Sequence, residues 1–225
     1  MVDLKKIKNV IIVLVCLVLM FFIVQAFLKK PNLMPVKGQI DEIDLTGVNK
    51  LMIISHPGDE SVWGGVHLLT DNYLVVCVSC GYDDEKTNDF KDAINFSGDK
   101  YIMMGYSDKI YFNKDYKKIK KQIKYILNYK NWSEVVTHNP LGEYNNYQHK
   151  QISDILTDLN VSNLYYFGKY YSEKELNKLD KETFLDGDLI KSKIKNMVKK
   201  YDGIYDDYKH MLPFEEWIEA SKWEN

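Results

Sequence analysis

Five short apolar runs, each followed by a stretch of helical periodicity, constrain this chain more than any other feature. The runs cover residues 51–55, 73–79, 101–104, 134–137 and 164–167. Continuous apolar runs of that length suit strands covered on both faces. Between them the apolar spacing changes to that of a helix. Tyr116, Ile119, Ile123, Ile126 and Leu127 share one helical face, and Ile152, Ile155, Leu156 and Leu159 follow the i, i+3, i+4, i+7 pattern. Further helices are expected near residues 61–69, 88–97, 188–201 and 213–221. Strands alternating with helices require right-handed crossovers, which give a mostly parallel sheet with helices on both faces. The expected fold is α/β, a Rossmann-like three-layer domain over residues 45–225, large enough for a real core.

Ahead of this domain, residues 1–9 are rich in lysine and residues 10–27 are almost wholly apolar. A helix needs ~20 apolar residues to cross ~30 Å of hydrocarbon, so the run is expected to form one transmembrane anchor. Val24-Gln25-Ala26 also meets the small-residue rule for signal cleavage. Against cleavage, the apolar run is long and almost no polar region separates it from Ala26. The resulting expectation is a single-pass membrane protein: residues 1–9 cytoplasmic, residues 10–27 the anchor, residues 28–44 a linker with Pro31, Pro35 and Gly38, and the domain extracytoplasmic. The composition is otherwise ordinary for a globular chain, with a formal net charge of -2 and no arginine. No basic domain of the kind that binds nucleic acid is present. Any anionic ligand must be met by lysine or backbone N–H groups, because the planar guanidinium fork is missing.

The first apolar run ends in Ser55-His56-Pro57-Gly58-Asp59-Glu60. Pro57 and Gly58 break the strand, which leaves His56 and Asp59 at the carboxyl end of a parallel strand. Ligands of open α/β sheets bind beyond those ends, and a histidine and an aspartate three residues apart across a tight turn can face one metal ion. Behind them, Gly64 and Gly65 are expected to let another backbone come close. A second stretch, Thr137-His-Asn-Pro-Leu-Gly-Glu-Tyr-Asn-Asn-Tyr-Gln-His149, again follows a strand-like run and again leads into a helix.

Together, from about Lys50 to about Phe167, these stretches resemble the PIG-L family of zinc-dependent N-deacetylases. That family carries a His-Pro-Asp-Asp-Glu turn and a later Gly-Glu-Tyr-Gly-His-x-x-His motif. The resemblance implies zinc as cofactor, an N-acetylated amino sugar or glycoconjugate as substrate, and His56, Asp59 and His149 as the metal-holding set. Two imidazoles and one carboxylate, with a fourth position open, form the pattern of a catalytic zinc. It further implies that Tyr144 steadies the acetyl oxygen and that Asp108, Lys86 and Asn146 stand near substrate. Two positions depart from the family: its general base is Gly58 here, and a further catalytic histidine is Asn146. The resemblance therefore keeps the metal set and drops two proton-handling groups. Asp83, Asp84, Asp108 and Glu143 are the conceivable substitutes for the base.

Each position also has a plainer reading. His149 precedes the apolar stripe of its helix by three residues and should face inward, which suits a ligand and a core histidine equally. Tyr144 could pack on Pro140, Asp108 could be a turn aspartate, and Lys86 a surface lysine. Glu60 reads as structural, capping a helix or orienting a ligand. Cys77 and Cys80 lie on or at the end of an expected strand, about 10 Å apart and on opposite faces, too far for a disulfide. Two functional classes follow: a zinc hydrolase removing N-acetyl groups, and a zinc- and glycan-binding or partner-binding module without turnover.

Overall fold

The computed structural model describes residues 11–21, 35–108, 113–176, 178–179 and 187–224. The chain divides into two units, Met1–Asn32 and Leu33–Asn225. In the first, the described residues form helix α1 (residues 11–21). At 1.5 Å per residue α1 rises about 16 Å, half of a ~30 Å hydrocarbon core. The expected transmembrane anchor, and the single-pass extracytoplasmic placement drawn from it, do not hold: among the described residues no helix is long and apolar enough to cross a membrane. Residues 10 and 22–27 of the expected span lie outside the described residues.

In the second unit, β1 (Lys50–Ile54) is the strand about which the others are arranged. Its side chains alternate between faces, as strand geometry dictates. Leu51 and Ile53 enter one core together with Ile119, Ile123 and Ile126 of α5 (Asn113–Leu127) and Ile152, Ile155 and Leu156 of α6 (Tyr147–Asp158). Met52 and Ile54 enter the other, with Val62 and Leu68 of α3 (Asp59–Thr70) and Phe90, Ala93 and Ile94 of α4 (Asp84–Ser97). Burying each such Ile or Leu contributes roughly 1.5–3 kcal/mol. The remaining strands are β2 (Tyr73–Ser79), β3 (Lys100–Tyr106), β4 (Glu134–Thr137), β5 (Leu164–Phe167) and β6 (Trp217–Glu219), in the order β3-β2-β1-β4-β5-β6. β1 to β5 run parallel, and β6 pairs antiparallel with β5. The order reverses between β1 and β4, and that switch point opens a crevice beyond their carboxyl ends.

Two segments differ from expectation. Within the stretch read as a linker, Val36–Glu42 is a helix (α2) that buries Val36 and Ile40 in the α5 and α6 core. Pro35 precedes that helix, where its missing N–H costs nothing. Near the other end, the expected helix at 213–221 contains β6. Trp217 stacks on His67 of α3 at 3.6 Å, and its indole N–H donates to the Trp63 carbonyl at 2.9 Å. Helix α7 (Gly187–Asn196) and the segment before β6 also lean on α3. Lys193, fully buried, donates to the Val62 carbonyl at 2.6 Å and pairs with Glu215 at 2.7 Å. Glu215 also accepts from the backbone N–H groups of Val66 and His67. Burial disfavours its charge, yet Lys193 and His67 hold its carboxyl down to about 2. Side chains, not another backbone, fill the space at the glycine pair: a Cβ on Gly64 would lie 2.5 Å from Met52 Cε, and one on Gly65 2.8 Å from Lys193 Cγ.

Removing one partner of a buried ion pair leaves an uncompensated charge. Glu215→Ala is therefore expected to cost about 3–5 kcal/mol in urea denaturation. The double variant Glu215→Gln with Lys193→Met should recover a substantial part of that loss, and an equal loss in both would contradict the account.

Candidate metal and substrate site

The turn after β1 is closed by its own side chains. Asp59 Oδ2 accepts the His56 backbone N–H at 2.8 Å, and Glu60 Oε2 accepts that of Gly58 at 2.9 Å. Gly58 adopts φ +102, a left-handed conformation that favours glycine. Glu60 is fully buried and also accepts the Ser61 and Tyr201 hydroxyls, each at 2.6 Å. Burial nevertheless pushes its carboxyl up to about 7. It braces the turn, in keeping with its structural reading. The loop after β4 is wound by Gly142, Glu143 and Asn145, all with positive φ. A Cβ on Gly142 would lie 2.3 Å from the Asn146 carbonyl oxygen, so that position requires glycine. Asn146 then caps α6: its side-chain oxygen accepts from the N–H groups of Gln148 and His149.

These two loops bring His56, Asp59 and His149 together. His56 Nδ1 and His149 Nε2 are 3.3 Å apart, and each lies 3.4 Å from Asp59 Oδ2. An ion with bonds of 2.0–2.2 Å in a tetrahedral shell has its ligand atoms about 3.3–3.6 Å apart. The three atoms thus match three corners of such a shell, and the donor set suits zinc. His138 Nε2 also lies 3.4 Å from Asp59 Oδ2. It accepts the Ser55 backbone N–H at 2.9 Å, however, so its lone pair is already used. Behind the triad, Glu143 is buried between His138 Nδ1, at 3.0 Å, and His149 Nδ1, and it also accepts the Asn139 N–H at 2.9 Å. A carboxylate on the far nitrogen of a metal-facing histidine fixes its tautomer and orientation.

His56, Asp59 and Gly58 open onto a cavity of about 590 Å³. Tyr144 stands on its wall, edge-on to His149 with ring centroids 5.2 Å apart and beside Tyr208 at 5.4 Å. Burial, then the Asp59 charge and Tyr208, hold its phenol above the ordinary value, so it keeps its proton as a donor. Asn146 donates to the Tyr144 hydroxyl at 3.3 Å. Lys86 and Asp108 also line the cavity and pair with each other at 3.2 Å. Burial opposes the Asp108 charge, but Lys86 holds its carboxyl below the usual value. Asp83 caps α4 by accepting the Lys86 N–H. Cys77 and Cys80 are free, buried thiols.

The aromatic- and acid-rich C-terminal segment from Tyr201 to Trp223, which the sequence leaves free to cover either a sheet edge or the cleft, lines the cavity with its first residues. Ile204 and Tyr208, four apart on helix α8 (Ile204–Tyr208), face the cavity with Tyr201. A Cβ at position 58 would lie 2.3 Å from Ile204 Cδ1 and 3.5 Å from the Tyr201 ring. His138 stands at the end of its strand beside the site, whereas Gln148 was inconspicuous, because its partners His56 and Ser107 lie far along the chain.

No family model matches the sequence. Over 148 residues the chain is 34% identical to an uncharacterized protein of Acanthamoeba polyphaga mimivirus. That match covers 57% of this chain and 64%, less than two thirds, of the relative. Among solved structures, a triple mutant of a deacetylase of the teicoplanin biosynthetic pathway is similar over 68% of this chain and 81% of its own, with a TM-score of 0.53 and 16% identity. A deacetylase of the A40926 pseudoaglycone is similar over 73% and 81%, with a TM-score of 0.50 and 15% identity. The chain has a deacetylase-like fold.

Because Asn146 caps α6, its loss should register in stability. Asn146→Ala is expected to cost about 1 kcal/mol in chemical denaturation, and Asn146→Asp, whose carboxylate accepts the same N–H groups, should retain most of it. Equal stability of wild type and Asn146→Ala would show that the cap is idle.

Proposed function

We propose that this chain is a zinc-dependent N-deacetylase of the PIG-L type, acting on N-acetylated amino sugars or their conjugates with weakened proton transfer. The observation that carries the reading is the near-equilateral triangle of His56 Nδ1, Asp59 Oδ2 and His149 Nε2 beside a cavity at the switch point. Its support from outside is the likeness of fold to two deacetylases.

His56, Asp59 and His149 are the residues that would hold the ion. Bound zinc supplies Lewis acidity toward an amide carbonyl and makes water more acidic. Tyr144, kept protonated, donates from its hydroxyl to the acyl oxygen as negative charge develops there. Asn146 and Tyr208 position that phenol. What the chain lacks is a proton acceptor at position 58, where Ile204 and Tyr201 occupy the space a side chain would enter. Three of the conceivable substitutes are engaged, Glu143 with two histidines, Asp108 with Lys86, and Asp83 with the start of α4, and the fourth, Asp84, is exposed and does not line the cavity. General acid–base help is worth roughly 10²–10⁴ in rate, so a slow enzyme is expected.

The cavity wall narrows the substrate. Asp83, Glu85, Asp89, Asp202 and Asp207 line it, and its one lysine is already paired with Asp108. A phosphate-bearing sugar meets repulsion there, whereas a neutral or amine-bearing N-acetyl sugar does not. The filled space at Gly58 also favours a second reading, a zinc- and glycan-binding module without turnover.

Elemental analysis of the full-length protein and acetate release from neutral, amine-bearing and phosphorylated N-acetylglucosamine compounds test both readings. The expected result is about one zinc per chain, slow release from neutral or amine-bearing compounds and least from phosphorylated ones. Gly58→Asp with Ile204→Ala should raise the rate by up to ~10². Gly58→Asp alone should gain less, because Ile204 and the positive φ oppose a side chain. Fast wild-type turnover would overturn the impaired chemistry. Zinc bound with no turnover in any variant would favour the binding module, and absence of zinc would remove both.

A further inference from the structure

The triad histidines are held from behind by different groups. His149 is fully buried, with its far nitrogen on Glu143. His56 stands at the cavity, its side chain 19% exposed, and its far nitrogen Nε2 lies 2.6 Å from Gln148 Oε1. Gln148 is itself 3% exposed, and its amide nitrogen lies 3.0 Å from the Ser107 carbonyl oxygen.

That second bond removes an ambiguity. A carbonyl oxygen only accepts, so the Gln148 group facing Ser107 must be the NH₂ and the group facing His56 must be the oxygen. The Gln148 oxygen also only accepts, so His56 Nε2 must carry the proton. Neutral imidazole has one protonated nitrogen, which leaves the Nδ1 lone pair free. Nδ1 is the atom that faces Asp59 Oδ2 and His149 Nε2. The order of donors and acceptors running from Ser107 through Gln148 to His56 therefore dictates which nitrogen can bind a cation.

We propose that Gln148 is a positioning residue that sets the tautomer and ring orientation of His56. The first turn of α6 thereby supplies one corner of the triad directly, through His149, and fixes a second through the neighbouring side chain. Asn146 Oδ1 accepts both their backbone N–H groups, at 2.8 Å for Gln148 and 3.3 Å for His149, so a single cap holds the pair. Ser107 follows β3, so the same chain of bonds ties the third strand's exit to the site. This role in metal binding rests on the reading of the triad as a zinc centre, whereas the hold on the His56 tautomer does not.

Two measurements on the full-length protein separate these levels. In the metal-free protein, imidazole nitrogen NMR should show His56 as the Nε2–H tautomer in wild type and a tautomer mixture in Gln148→Leu. Zinc affinity, read by competition with a chelating indicator, should fall about 10–100-fold in Gln148→Leu. Gln148→Glu, which keeps an acceptor for Nε2–H, should restore the tautomer and bind zinc at least as tightly as wild type. Gln148→Met serves in place of the leucine variant should that one fail to fold. A wild-type His56 protonated on Nδ1, or an unchanged tautomer in the leucine and methionine variants, would overturn the proposal. So would unchanged zinc affinity in those variants. If wild type holds the Nε2–H tautomer but takes up no zinc, the zinc reading falls alone and the control of His56 by Gln148 stands.

Discussion

Two buried carboxylates, Asp59 and Glu143, have ion-pair partners that are all imidazoles. Burying a carboxylate costs several kcal/mol unless opposite charge and hydrogen bonds offset it. A neutral imidazole brings hydrogen bonds but no charge. His138 Nε2 accepts the Ser55 N–H, which opposes a second proton on the ring, while burial lowers and the Glu143 and Asp59 charges raise its affinity for one. A divalent ion at the triad would offset the buried charge and use the lone pairs that the outer hydrogen bonds leave exposed. Closure of the β1 turn, the wound loop after β4 and the capped start of α6 all serve to hold these groups together.

The C-terminal segment is the second determinant of the site. It completes the sheet through β6, clamps α3 through the Lys193 and Glu215 pair, and then presents Tyr201, Ile204 and Tyr208 to the cavity. Tyr201 reaches the same buried Glu60 that braces the turn. Packing and chemistry are therefore coupled. The residues that anchor this segment on α3 also set what stands over Gly58, where Ile204 Cδ1 occupies the space that a Cβ would enter.

Much of the frame was legible in the sequence. The strands at 73–79, 134–137 and 164–167 fall where the apolar runs place them, since a buried parallel strand leaves an uninterrupted signature. The stripe at Ile152, Ile155 and Leu156 set the inward direction of His149. β6 was not legible, because three residues are too few to show a period and its pairing depends on the free edge of β5. The helix Val36–Glu42 was hidden by the prolines and glycine around it. The apolar run near the amino terminus suggested a bilayer span that no described helix provides. Gln148 and Ile204 could not be read at all: a glutamine and an isoleucine acquire meaning only from what stands opposite, and that is a property of the fold.

Zinc K-edge absorption of the metal-loaded protein tests the central claim most directly. Two imidazole nitrogens and one or two oxygens at about 2.0–2.2 Å are expected, with one imidazole lost in His56→Ala or His149→Ala and none lost in His138→Ala. Sulfur scattering at about 2.3 Å, or loss of an imidazole in His138→Ala alone, would contradict the assignment of the metal to His56, Asp59 and His149.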